Sequence, residues 1–101
     1  MDRREYSIKP ITVNRFLINR VVIDPHFELK HSDHIDDILI IELVKELNGR
    51  IEVPEATDED GFSYFATLLM LNEKQYRLIW LLETDAIYVG VLNAHRDDRK
   101  D

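Results

Sequence analysis

Arg77, Asn93 and His95 carry the side chains best suited to chemistry on an anion. A guanidinium can stabilise charge developing on a phosphate, and an imidazole can move a proton near neutral pH. Their meeting depends on strand register, because side chains alternate across a strand. With three-residue turns, Leu71 faces Gln75 and Leu82 faces Ala86. One face then carries Ser63, Phe65, Thr67 and Leu69, next Arg77, Ile79 and Leu81, then Ile87, Val89, Val91, Asn93 and His95. The other is nearly all apolar, with Phe62, Tyr64, Tyr76, Leu78, Trp80 and Tyr88 among its members. In this register Arg77, Asn93 and His95 gather toward one end. A two- or four-residue turn separates them. The bland alternative pairs Arg77 with an acid such as Glu73 and leaves His95 at an exposed strand end.

The elements that must position these residues follow from local patterning. Residues 11–13 and 17–23 are rich in β-branched types and read as a hairpin through Asn14-Arg15. Asp24-Pro25 ends it. A helix is expected over residues 33–47, with Ser32 as N-cap, acidic residues in the first turns and Gly49 past the end. Ile35, Leu39, Ile40, Leu43, Val44 and Leu47 form its apolar stripe, which leaves Ile38 and Ile41 over as a candidate interface. Residues 50–53, 62–71, 76–82 and 86–95 read as strands. The expected fold is α+β, ββ-α-ββββ: one helix packed on an antiparallel four-stranded meander, with an N-terminal β-hairpin. The chain reads as one domain over residues 1–101, with frayed tails at 1–8 and 96–101.

Composition bounds the function. The 101 residues carry a net charge of −7 and no cysteine, which excludes disulfides, Cys-ligated zinc and thiol nucleophiles. Residues 1–23 hold five bases and two acids, whereas residues 24–60 hold three bases and twelve acids. That distribution opposes nonspecific nucleic-acid binding but permits a small basic site. No apolar run reaches the length of a membrane span, and no secretory signal pattern opens the chain, so a cytoplasmic location is expected.

Other clusters read as structure. His26, His31 and His34 match no metal-ligand spacing, so neither metal nor cofactor is expected. Asp58-Glu59-Asp60-Gly61 lacks the alternating ligands of a calcium loop and reads as an acidic turn. Tyr64, Tyr76, Trp80 and Tyr88 could stack nucleobases, but in the register above they share the core face.

The C-terminal third resembles a known family. Tyr76-Arg77-Leu78-Ile79-Trp80, a short acidic turn, Ile87-Tyr88-Val89-Gly90-Val91-Leu92 and His95-Arg96 look like the last hairpin of the RelE/YoeB superfamily of small bacterial toxins. The resemblance implies a ribosome-dependent or free endoribonuclease held inactive by an antitoxin. By the resemblance Arg77 and His95 would be catalytic and Arg96 would assist substrate binding; the register above adds Asn93 as a substrate-binding candidate. The competing reading is a noncatalytic acidic interaction module, a homodimer or a partner-blocking protein, using Ile38 and Ile41.

Overall fold

The computed structural model describes residues 3–24 and 35–98. Its elements are β1 (Arg4–Val13), β2 (Phe16–Ile23), α1 (Asp37–Lys45), β3 (Ala56–Thr57), β4 (Phe62–Leu71), β5 (Lys74–Glu83) and β6 (Tyr88–Arg96). All the strands belong to one six-stranded mixed sheet in the order β1-β2-β6-β5-β4-β3. The expected α+β arrangement is therefore overturned. The hairpin is not an appendage to a four-stranded meander, because β2 pairs in parallel with β6, Val21 facing Val89 and Ile23 facing Val91. These four side chains are almost wholly buried, so the pairing joins the hairpin to the common core.

The helix is also shorter than its apolar periodicity implied. Asp36 caps it, its carboxylate accepting from Leu39 N at 2.9 Å. Ser32 and Asp33 lie outside the described residues. Asp37 is drawn to β1, where Arg4 donates to both carboxylate oxygens at 2.6 Å and the Tyr6 hydroxyl donates to the same group. The stretch expected to fray thus holds the helix start to the sheet. Ile40, Leu43, Val44 and Leu47 are buried against the sheet, Ile38 is 72% exposed and Ile41 is half-buried.

Both tight turns contain two residues at positive φ. Asn14 and Arg15 (51° and 70°) join β1 to β2, and Asn72 and Glu73 (53° and 66°) join β4 to β5. Two successive left-handed residues make a type I′ turn, whose twist suits a hairpin, and Asn tolerates that conformation better than most. Lys74 therefore belongs to β5 and pairs with Leu71. This one-residue difference from the expected turn moves Phe65, Thr67 and Leu69 onto the face of Tyr76, Leu78 and Trp80.

That face is the core. Phe65 stacks on Trp80, ring centroids 4.0 Å apart and planes 13° apart. The indole N–H donates to Thr67 Oγ1 at 2.9 Å, and the threonine hydroxyl donates to Glu52 at 2.9 Å. One hydroxyl thus satisfies a fully buried donor and a carboxylate together.

Candidate functional site

On the sheet face away from α1, Arg77 stands directly opposite His95, and Asn93 stands opposite Ile79 one pair along. The expected juxtaposition of Arg77, Asn93 and His95 is present, but it arises differently. The four-residue connection 84–87 brings Leu82 opposite Val89, both on the core face. Uninterrupted pairing from there would set Ala94 against Arg77. A bulge intervenes: Trp80 pairs with Val91 and Ile79 with Asn93, so Leu92 is the extra residue. The one-residue shift puts His95 beside the guanidinium.

Arg77 is anchored by an acid that sequence reasoning missed. Its Nε donates to Asp97 Oδ2 at 2.7 Å, with side-chain exposures of 22% and 3%. Asp97 is itself clipped to β5, since its N–H donates to Gln75 O at 3.0 Å and its carbonyl accepts from Gln75 Nε2 at 2.8 Å. The partner is thus Asp97, from the stretch read as a frayed tail, and Glu73 lies in the turn. Asp97 engages the guanidinium through Nε alone. Among the described residues, neither terminal nitrogen of Arg77 makes a hydrogen bond.

Arg96 does not join this group. It pairs across the sheet with Tyr76, on the core face, with its guanidinium 5.7 Å from that ring's centroid and 2.9 Å from Asp98. The structure thus does not bring Arg96 together with Arg77 and His95.

The same face, away from α1, carries an open cleft of about 240 Å³ near the other end of β5. Phe62, Tyr64, Leu81, Tyr88 and Leu92 line it, with Arg3 at its rim. The four aromatic residues expected to share one face are split, with Tyr76 and Trp80 in the core and Tyr64 and Tyr88 here. The Tyr88 hydroxyl donates to Glu83 at 2.8 Å, and the Tyr64 hydroxyl donates to Asp58 at 2.9 Å. Burial and the bond to Glu83 push the Tyr88 phenol up to about 12, and the bond to Asp58 raises that of Tyr64. Both rings therefore stay neutral at physiological pH. Asp58 also accepts from the N–H groups of Phe62 and Asp60, and these contacts hold its carboxyl below the usual range.

Asp58 thus closes the acidic turn by internal bonds. Among the described residues no three His, Asp or Glu side chains converge on a common point suited to a metal ion. His26, His31 and His34 lie outside the described residues. No described helix is long and apolar enough to cross a membrane. No protein-family model, curated protein or solved structure matches the chain.

Two signals for the geometry were present in the sequence. Asn72 favours a left-handed turn residue, which points to a two-residue hairpin. The acid two residues beyond His95 is a natural partner for an arginine on the neighbouring strand. The bulge at Leu92 carries no comparable signal.

Proposed function

We propose that the protein is a small RelE-like, toxin-type endoribonuclease working at Arg77, Asn93 and His95 on the sheet face away from α1. The observation that carries this reading is the cross-strand pairing of Arg77 with His95, with neither terminal guanidinium nitrogen hydrogen-bonded among the described residues. Asp97 fixes the guanidinium through Nε and leaves a two-pronged donor for phosphate oxygens. His95 serves as acid or base, and Asn93 binds the substrate. A chain at −7 gains little from general attraction to RNA, so recognition rests on few phosphate contacts and its salt dependence is shallow. An antitoxin partner and action on the ribosome belong to the same reading. The test is expression in a bacterial host, with RNA incubated both free and on ribosomes. Growth arrest and cleavage, both lost in Arg77→Ala, are expected. Absence of both from the folded parent protein overturns the reading.

A noncatalytic interaction module is the second reading, favoured by Ile38, which is 72% exposed on α1 beside the half-buried Ile41. Its occupant would be a second copy of this chain. A dimer in light scattering that becomes monomeric in Ile38→Asp supports it, and a monomer at every concentration removes it.

A further inference from the structure

From the cleft lined by Phe62, Tyr64, Leu81, Tyr88 and Leu92 we infer a second subsite, one that receives an unstacked nucleobase and makes single-stranded RNA the ligand of the sheet face away from α1. This inference rests on the reading of Arg77 as a phosphate site. Three observations carry it.

The first is shape and lining. The cleft is open; Arg3 and Asp24 are the charged members of its lining, and the rest of its walls are aromatic and aliphatic, which suits the flat π-face of a base. Its floor is set by Gly90 and Leu81. A Cβ at position 90 would come within 2.8 Å of Leu81 Cδ1, so the leucine lies flat over the glycine.

The second is the fixed orientation of the rings. Each tyrosine hydroxyl is tied to a carboxylate, Tyr88 to Glu83 and Tyr64 to Asp58. A ring held in advance loses little freedom when a base stacks on it.

The third is continuity with the Arg77 site. Leu81 and Arg77 lie four residues apart on β5, on the same face, a span of roughly 13 Å at the rise of an antiparallel strand. A dinucleotide covers that span, with its base in the cleft and a phosphate at Arg77. A duplex cannot present a base in this way without unpairing it.

The test follows backbone and arginine side-chain resonances of the full chain during three titrations: adenosine, inorganic phosphate and a single-stranded RNA hexamer. Adenosine should shift Tyr64, Tyr88 and Leu92. Phosphate should shift Arg77 and His95. The hexamer should shift both groups, and the matching duplex should bind more weakly. Tyr64→Leu and Tyr88→Leu, checked for folding by circular dichroism, should each weaken hexamer binding by about tenfold or more. If phosphate and the hexamer move Arg77 while no ligand moves the cleft, the base subsite is overturned and the Arg77 site stands. If adenosine moves the cleft while neither phosphate nor the hexamer moves Arg77, the parent reading fails. Hexamer binding equal in the parent and both tyrosine variants also overturns the subsite.

Discussion

Arg77 and His95 face each other across β5 and β6 because Leu92 is looped out of the pairing between them. Asp97, two residues beyond His95, then reaches back to hold Arg77 by Nε. Strand β6 and its C-terminal extension therefore supply both the imidazole beside the guanidinium and the carboxylate that fixes it. The consequence is a cation held through Nε, whose two outer nitrogens make no hydrogen bond among the described residues.

Arg77→Lys should behave like Arg77→Ala toward phosphate and RNA. A single ammonium can meet Asp97 or an incoming anion, but it cannot reproduce a fork with one prong anchored and two presented. Phosphate affinity should fall about tenfold or more in both variants, the loss of one charge-assisted bond of roughly 1.5–3 kcal/mol. Titration followed at His95 checks it. A lysine variant that binds as tightly as the parent excludes the forked geometry.

Thr67→Val should destabilise the fold by about 1–3 kcal/mol, because it strands the buried Trp80 N–H and removes the donor to Glu52. Thr67→Ser should retain most of the stability. Urea unfolding followed by Trp80 fluorescence separates them.

Gly90→Ala should cost about 1–3 kcal/mol through overpacking against Leu81. Shortening the obstructing side chain in a Gly90→Ala, Leu81→Ala double variant should cost less than the sum of the two single changes. Strict additivity in a double-mutant cycle would contradict the contact.

Acid should weaken the attachment of α1 to β1. The bonds from Arg4 hold the Asp37 carboxyl below its usual range, helped by the Tyr6 hydroxyl. The unfolded chain thus binds the proton first as pH falls. Stability from this carboxylate is present above about pH 4 and is lost as pH drops through the lowered folded value. Asp37→Asn should lower stability at pH 7 and flatten the decline in acid, seen in urea midpoints between neutral and acid pH.

At the alkaline end the sign reverses. The raised Tyr88 phenol contributes stability that is complete below about pH 10, its unfolded value, and is lost as pH climbs toward about 12. Tyr88→Phe should remove the latest phenolate absorbance step. A titration in which every tyrosine ionises together near its ordinary value rules this out.

The sequence by itself determined most of the strand segments, though not the first half of β1, which reads as a frayed tail. Strand β4 spans the run of β-branched, aromatic and aliphatic residues read from 62 to 71, and the buried stripe of α1 follows the helical period. These are local properties, written in spacing and side-chain type. It also marked Arg77, Asn93 and His95, because a charged or polar side chain among aliphatics stands out in a short window. Tertiary structure alone decided how the strands join. The parallel pairing of β2 with β6 links residues far apart in the chain, and no local pattern specifies it. The faces were also decided there, since one residue fewer in the Asn72-Glu73 turn and one residue more at Leu92 each invert every side chain beyond them. A period of two makes face assignment depend on the parity of every turn and bulge, which residue type constrains only weakly. For that reason the place of Arg77 on a strand was legible in advance, whereas its anchor at Asp97 and its sharing a face with Tyr64 and Tyr88 were not.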